Sequence, residues 1–173
     1  MILLETKTRI MKFYRISNAY KRSAIQIITA QEFSSSSHIP LDSPIIYNNT
    51  FTVDIGKKWF DVIGFADSHM HFAISRRFKI LLEANKIKGW TCFPIIIEGS
   101  NEEYFVFQIV SIAGEILNRE KLNRYEEKLK FDINTWDKAG IFTLKNTTTI
   151  ICTIEVKEIL EKEKITNIEF DEL

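Results

Sequence analysis

The chain is poor in the residues from which small cofactor sites are commonly built. Its 173 residues include two cysteines and three histidines, and its six glycines are scattered singly. Because no glycine-rich loop is present, the sequence has neither a dinucleotide-binding fingerprint nor a P-loop. Cys92 and Cys152 both lie in apolar runs, which favours reduced core residues, although the sequence alone leaves a disulfide open. We therefore expect no cofactor.

The sequence also lacks net charge and long apolar stretches. Lysine plus arginine and aspartate plus glutamate each number 23, so no overall field favours nucleic acid or a membrane surface. No apolar run approaches the length of a membrane span, and residues 1–5 lack the positive start of a signal peptide. These absences predict a soluble protein of a reducing compartment, most simply the cytoplasm.

What is present fits one globular domain. Hydrophobic residues make up 45% of the chain and charged residues 27%, which are ordinary values for such a domain. Thirteen phenylalanines indicate a core or a contact surface rich in aromatic side chains. We predict that residues 1–10 are a loose lead-in and that residues 11–173 form a single domain. The sequence does not decide between Met1 and Met11 as the natural start.

The stretch 75–94 predicts a helix, a tight turn and a core strand. Ser75 is suited to cap the helix, and apolar residues then recur at steps of three and four, which places them on one face. Gly89 adopts a positive φ without steric cost, so the chain can turn there. The apolar, aromatic residues that follow are typical of a buried strand. We expect this helix near residues 75–86.

A similar unit returns 78 positions later, with a second helix near residues 154–164 and a closing strand. Either the unit is duplicated, or one common solution arose twice by chance, and the sequence leaves both open. Asn167 replaces the turn glycine, and asparagine also tolerates the left-handed conformation. The aligned pairs are Ser75 and Thr153, Phe78 and Val156, Lys79 and Lys157, Leu82 and Leu160, Glu83 and Glu161, Lys86 and Lys164, Ile87 and Ile165, and Gly89 and Asn167.

The remaining apolar runs predict many short strands. Because strands outnumber helices and do not alternate with them strictly, we predict an α+β fold with a mostly antiparallel sheet. The charged segment Asn118–Lys130 fits either an exposed helix or an ordered loop. Predicted strands are Lys12–Ile16, Ala24–Ile28, Thr50–Val53, Trp59–Ile63, a hairpin over 90–112, Ile141–Leu144 and Thr148–Thr153.

One cluster suggests chemistry. His69 and His71 alternate on a predicted strand, so both imidazoles would point to one face, and Asp67 or the upstream Asp61 could add a carboxylate. Such a set would suit a small metal-dependent hydrolase. The competing interpretation is that these are ordinary polar residues before the helix, and it is favoured because only one further histidine exists in the chain.

Several segments together resemble a bacterial immunity-protein family encoded beside polymorphic and contact-dependent toxins. The likeness spans roughly residues 59–172 and is strongest over residues 74–107. Two positions depart from the family pattern: residues 110–117 lack its aspartates, and Asn167 stands in place of the closing glycine. The segments that carry the resemblance are Ile74–Glu83, Gly89–Pro94, Tyr104–Phe107 and Val156–Phe170.

The resemblance implies a protein that binds and neutralises one cognate toxin, the product of a neighbouring gene, without catalysis. The resemblance assigns no catalytic residue to this chain. We expect no nucleic-acid partner and no membrane partner. For the contact surface we predict Trp59 and Trp136 as aromatic anchors, although each is also a natural core residue. Glu169 and Asp171 would steer a basic toxin toward an acidic C-terminal segment.

Overall fold

The computed structural model describes residues 11–29, 50–66, 68–119 and 128–173, and over Ser68–His71 it describes the backbone alone. The predicted lead-in at residues 1–10, Asp67 and most of the charged segment 118–130 therefore lie outside the described residues. No helix among the residues described is long and apolar enough to cross a membrane.

Strands dominate the described part of the chain, with two α-helices and one short 3-10 helix, Ile133–Thr135. The helices are α1 (Arg76–Ala84) and α2 (Ile154–Lys162), close to the two predicted ones. The strands are β1 (Phe13–Asn18), β2 (Gln26–Thr29), β3 (Thr50–Ile55), β4 (Val62–Phe65), β5 (Ser68–Ser75), β6 (Trp90–Ile97), β7 (Tyr104–Ile109), β8 (Ile112–Ala113), β9 (Ile141–Leu144), β10 (Ile150–Thr153) and β11 (Ile168–Glu172).

The strands form two sheets, and one of them closes on itself. Six strands make a closed barrel in the order β2-β3-β6-β7-β5-β4, and five make an open sheet in the order β11-β1-β10-β9-β8. The α+β class is confirmed, but the expected single sheet is corrected to a barrel beside a sheet. Most pairs are antiparallel, yet β2–β4, β3–β6 and β8–β9 are parallel. The first two parallel pairs close the barrel, which removes exposed sheet edges.

The helix–turn–strand unit recurs in the structure as it does in the sequence. Both helices span nine residues, and each is followed by a turn with two residues of positive φ. Lys86 and Lys164 both have a φ of 53°, while Gly89 and Asn167 have 99° and 62°. The turn after α1 and the turn after α2 therefore place positive φ at the same two equivalent positions.

The equivalence extends to the neighbouring strands. Ser75 of β5 pairs with Tyr104 of β7, and its counterpart Thr153 of β10 pairs with Phe13 of β1. The N-terminal strand β1 thus takes the place that β7 holds in the first unit. We call β2 to β7 with α1 unit A, and β8 to β11 with α2 and β1 unit B. Unit B therefore has the same arrangement around its helix as unit A, in circularly permuted chain order, with β1 in the place of β7.

The two units contact each other reciprocally. The Val62 N–H of unit A donates to the Thr166 carbonyl of unit B at 3.2 Å. At the equivalent positions, the Ile141 N–H of unit B donates to the Lys88 carbonyl of unit A at 3.1 Å. Matching contacts in both directions indicate a pseudo-twofold relationship between the units.

The apolar side chains follow the same plan. A central cluster buries one face of each helix, with Phe78 and Leu82 from α1 and Val156 and Leu160 from α2. A second cluster fills the barrel of unit A, and a third lies on the equivalent face of the sheet in unit B. The central cluster therefore joins the two units. Each outer cluster belongs to one unit alone, so the residues of the two outer clusters can differ.

Candidate protein-binding site

A pocket of about 120 Å³ opens where α2 begins, against the start of β1. We call it the Trp136 pocket. Its walls are mainly apolar, and its charged groups stand at the edge, since Glu155 is exposed and Lys12 reaches outward. The lining residues are Met11, Lys12, Phe13, Trp136, Thr153, Ile154 and Glu155.

Trp136 is held rigidly in this wall. It directly follows the 3-10 helix, which Asp132 caps by accepting a hydrogen bond from the Asn134 N–H at 3.0 Å. The indole N–H donates to the Ala139 carbonyl at 3.1 Å. The ring stands edge-on to Phe13, with centroids 5.2 Å apart and an interplanar angle of 89°. Because its polar atom is satisfied inside the protein, Trp136 presents an apolar surface to the pocket.

Unit A carries an ion pair at positions equivalent to two residues of this pocket. Trp59 packs on Tyr104 there, with centroids 5.5 Å apart, as Trp136 packs on Phe13. Arg76 and Glu103, which neighbour the paired residues Ser75 and Tyr104 in the chain, form an ion pair at 3.3 Å. The equivalent positions in unit B hold Ile154 and Lys12, which form no such pair.

Lys12 instead turns toward β11. Its ammonium pairs with Glu172 at 3.2 Å, and Lys128 pairs with the same carboxylate at 2.9 Å. Hydrogen bonds from Lys128 and Lys12 lower the pKa of Glu172 below its ordinary value.

Two acidic residues of β11 are paired with basic residues elsewhere in the chain. Asp171 of β11 accepts a hydrogen bond from the Arg15 guanidinium of β1 at 2.6 Å, next to the Lys12–Glu172 pair. Basic residues at the start of β1 thus pair with acidic residues of β11. These exposed pairs contribute little stability individually. They also reduce the field that the segment could exert on a basic partner.

The four predicted partner-binding residues separate into two places. Trp136 lines the pocket, whereas Trp59 is half-buried against the barrel core of unit A. Glu169 and Asp171 are exposed on β11, and Asp171 is engaged by Arg15. The structure therefore brings Trp136 near the acidic strand and leaves Trp59 apart from it.

The pocket residues that the sequence analysis missed come from both ends of the chain. Met11 lies just before β1, Phe13 opens that strand, and Ile154 opens α2. A signal for Ile154 was present in the repeat, because alignment by 78 positions places it opposite Arg76. Ile154 is apolar whereas Arg76 of unit A is charged, so the surface chemistry of the two units differs at this position.

The alternative metal site stays a prediction. Asp67 lies outside the described residues, and of His69 and His71 only the backbone, within β5, is described. Asp61 is nearly buried, and its carboxylate accepts hydrogen bonds from Ser75 at 2.8 Å and Arg77 at 3.0 Å. In the part of the chain that the structure describes, no three His, Cys, Asp or Glu side chains are grouped to hold a metal.

The two cysteines are free; Cys152 lies in the core as expected, whereas Cys92 is half-buried. Cys152 is fully buried, and burial raises its pKa to about 12. Burial also raises the pKa of Cys92 above its ordinary value. Since the thiolate is the reactive form, neither residue is activated as a nucleophile at neutral pH.

A second, more open groove lies between the end of α1 and β6. Its volume is about 440 Å³, and Lys79, Glu83, Lys86 and Trp90 are among its walls. Lys79 pairs with Glu83 at 2.8 Å, and the Trp90 indole donates to the Ile87 carbonyl at 2.9 Å. The polar groups of this groove are thus partly satisfied within the protein, which makes it a weaker candidate than the Trp136 pocket.

Comparisons with known proteins leave the family open. No protein-family model matches the chain, and a search of curated proteins finds no match. The resemblance of residues 74–107 to immunity proteins therefore stays a prediction.

Proposed function

We propose that this protein binds and neutralises a cognate bacterial toxin in the cytoplasm, by stoichiometric protein–protein contact and without catalysis. Two independent features support the proposal: the family resemblance of the sequence, and the Trp136 pocket on the surface of unit B. The toxin would be the product of a neighbouring gene in a polymorphic toxin system. Its active site or substrate path would be blocked by the bound protein.

The observation that carries the proposal is the composition of the Trp136 pocket. A rigid aromatic wall, apolar neighbours and a charged edge are features of the sites that dominate binding energy in protein interfaces. Half-buried Phe13, Trp136 and Ile154 supply the apolar part, and exposed Glu155 supplies charge at the edge. Met11 remains 61% exposed, so further apolar surface is available for burial on binding.

The experiment that tests the function is recovery of the partner from the cells in which the protein is made. The first and last residues that the structure describes adjoin the pocket, because Met11 lines it and the Leu173 N–H donates to the Phe13 carbonyl at 3.0 Å. The affinity tag is therefore best inserted at the Gly99 turn of unit A, where a side chain would meet no atom within 4 Å.

The expected result is one co-purifying protein with a toxin domain, identified by mass spectrometry and bound one to one. Gly56 would be a poor position for the tag, since a Cβ there meets the Ala24 carbonyl oxygen at 2.1 Å. Recovery of no specific partner by a folded, tagged protein would contradict the proposed function.

A further inference from the structure

The connection between β1 and β2 is longer than its counterpart in the repeat. Both connections start from an equivalent contact, since the Ala19 N–H donates to the Asn167 carbonyl at 3.2 Å and the Val110 N–H donates to the Gly89 carbonyl at 2.9 Å. Only two residues then lead from β7 into β8, whereas residues 19–25 lead from β1 into β2. The β1–β2 loop is therefore an addition that the other half of the repeat lacks, and loops held on a rigid scaffold often carry function.

This loop is fixed to the turn between β3 and β4. The Ser23 carbonyl accepts hydrogen bonds from the Lys57 N–H at 3.1 Å and from the Lys58 N–H at 2.9 Å. The two segments approach so closely that a Cβ at Gly56 would lie 2.1 Å from the Ala24 carbonyl oxygen. The backbones from which the side chains of both segments extend are therefore held in one arrangement.

The two segments bring four exposed basic side chains together. They are Lys21, Arg22, Lys57 and Lys58. The ammonium groups of Lys21 and Lys58 lie 5.3 and 5.9 Å from the ring centroid of Phe60, so these two are drawn to the same ring. Among the residues that the structure describes, none of the four forms an ion pair. Their positive charge is thus uncompensated within the described chain.

The neighbouring acidic side chains do not change this balance. Asp54 of β3 is exposed and, within the described residues, pairs with none of the four cations. Asp61 is buried, and its carboxylate is engaged by the Ser75 hydroxyl and the Arg77 guanidinium. On β11, by contrast, two carboxylates are each paired with a basic residue. The β1–β2 loop therefore carries unpaired charge, and that charge is positive.

Exposed apolar surface adjoins these cations. Gln26 of β2 pairs with Gly64 of β4 and with Ile55 of β3, so the three residues lie side by side across the barrel. The ring of Tyr20 packs over Gly64, where an added Cβ would meet it at 3.6 Å. Tyr20 is 40% exposed and Ile55 is 53% exposed. An apolar centre beside a charged rim is the composition of a protein interface.

We propose that this surface binds an acidic region of the partner protein. We call it the basic loop surface, and its residues are Tyr20, Lys21, Arg22, Ile55, Lys57 and Lys58. The inference rests on the proposed function for the identity of the partner, and it adds a second contact formed by residues other than those of the Trp136 pocket. Charge complementarity selects the occupant, because unpaired cations attract carboxylates, speed association and fix the register of a contact.

The aromatic rings of this region favour a protein over a nucleic acid. Single strands are bound on aromatic faces on which the bases stack. The Phe60 ring is contacted by Lys21 and Lys58, and Trp59 lies against Tyr104 with centroids 5.5 Å apart. The chain also has no net charge, whereas nucleic-acid-binding domains are commonly strongly basic.

Two double variants with the same change in net charge test the surface. Arg22→Glu with Lys57→Glu reverses two of its cations and leaves the lysines beside Phe60 in place. Lys86→Glu with Lys88→Glu is the matched control, because both lysines are exposed in the turn after α1 and form no ion pair among the described residues. Thermal unfolding checks that both variants fold.

With the partner recovered and identified as above, the Arg22→Glu, Lys57→Glu variant should bind at least ~10-fold more weakly, mainly because association slows and depends less on salt. The control variant should stay within about threefold of the unaltered protein, since its changes lie outside the contact. Surface plasmon resonance at low and physiological salt measures both rate constants. Equal affinities of the two variants would overturn the inference and leave the proposed function standing.

A small probe tests the surface without the partner. A peptide of four glutamates around one leucine is titrated into ¹⁵N-labelled protein at low salt, and a peptide of four lysines around one leucine is the control. The acidic peptide should give saturable shifts in the backbone N–H signals of residues 21–23 and 57–58, and the lysine peptide should give none. Salt at about 0.5 M should abolish the shifts, because exposed charges are then screened. The Arg22→Glu, Lys57→Glu variant should also lose them.

Two outcomes of this titration would overturn the inference, whether or not a partner is recovered. One is that the acidic peptide leaves these signals unchanged, or shifts them equally in the Arg22→Glu, Lys57→Glu variant. The other is tighter binding of a single-stranded DNA of five nucleotides, which carries the same four negative charges and would make a nucleic acid the occupant. If the peptide binds as expected while the cells yield no partner, the proposed function fails and the preference of the surface for carboxylates stands.

Discussion

The carboxylate of Asp61 accepts hydrogen bonds from both the backbone N–H and the hydroxyl of Thr166, at 2.9 and 2.8 Å, across 105 positions of sequence. The Thr166 hydroxyl in turn accepts from the Asp61 N–H at 2.9 Å. The same carboxylate binds the hydroxyl of Ser75, which caps α1 by accepting from the Phe78 N–H. One buried side chain therefore joins the start of α1 to the turn after α2, and so links the two units.

Replacement of Asp61 by alanine should destabilise the protein strongly. The change leaves the Ser75 hydroxyl and the N–H and hydroxyl of Thr166 without their acceptor, whereas the exposed Arg77 guanidinium keeps the Glu163 carbonyl. Unpaired buried donors each cost about 1–3 kcal/mol, so we expect the free energy of unfolding to fall by roughly 3 kcal/mol. Urea denaturation measures it. Asp54→Ala, at an exposed position, is the control and should change stability by less than about 0.5 kcal/mol. Equal effects of the two substitutions would show that the linkage contributes nothing.

Gly89→Ala should be far more damaging than Gly99→Ala. Both glycines have positive φ, at 99° and 78°, so both substitutions strain the backbone. A Cβ at Gly89 would also lie 1.7 Å from the Ile141 carbonyl oxygen, in the reciprocal contact between the units, while none lies within 4 Å at Gly99. We expect about 1 kcal/mol for Gly99→Ala and severalfold more for Gly89→Ala. Similar unfolding midpoints would contradict the close approach of the units.

Circular permutation should preserve the fold when the new ends fall at the turn of unit A. The permuted chain begins at Asn101 and ends at Ser100, and Leu173 is joined directly to Met1. In this permutant β7 becomes the N-terminal strand and completes unit A, as β1 completes unit B in the natural order. New ends at exposed turns are well tolerated. We expect a cooperative melt within ~10 °C of the natural protein, in line with a loss of 1–2 kcal/mol.

The control permutant opens β5 between Phe72 and Ala73, a buried strand of the barrel. It should fail to fold. The permutant opened after Ser100 could also fail to fold although it is soluble in denaturant. In that case β1 and β7 are equivalent in the structure but not in folding.

The fully buried Cys152 should make stability fall at high pH. Burial raises its pKa to about 12 from the ordinary 9.0, so the folded protein retains the neutral thiol where the unfolded chain releases its proton. The stabilising contribution is complete below pH 9 and is lost as the pH rises toward 12. Between pH 8 and pH 10 we expect a loss of about 1 kcal/mol from this group.

Urea denaturation at both pH values measures this loss, and Cys152→Ala isolates it. The variant is less stable at either pH because it leaves a cavity, but its stability should change less between pH 8 and pH 10. Tyr104, whose pKa burial also raises, is present in both proteins and does not affect the comparison. The same pH dependence in both proteins would contradict the prediction.

The helix caps, turns and some strands could be predicted from the sequence, because each depends on residues that are close together in the chain. Ser75 caps α1 through the Phe78 N–H, as predicted, and β9 occupies the predicted Ile141–Leu144. The turn residues Gly89 and Asn167 both have the positive φ that their residue types suggested. The alignment by 78 positions followed from the same signals, since each unit repeats its own cap, helix face and turn.

The barrel and the binding site could not be predicted from the sequence, because they depend on contacts between residues that lie far apart in the chain. Nothing in the composition of β2 indicates that it pairs in parallel with β4, or that β3 pairs with β6. The pocket joins Phe13, Trp136 and Ile154, which meet only because β1 completes unit B. The pairing of Arg15 with Asp171 across 156 positions likewise turned a predicted acidic surface into a largely compensated one.

The most direct test of stoichiometric neutralisation is a titration of the partner toxin's activity with the purified protein. At toxin concentrations well above the Kd, activity should fall linearly and reach its end point at one equivalent, because each molecule occludes one toxin. Complete inactivation by a small fraction of an equivalent, progressing with time, would instead show catalysis. Full toxin activity at several equivalents of folded protein would contradict neutralisation itself.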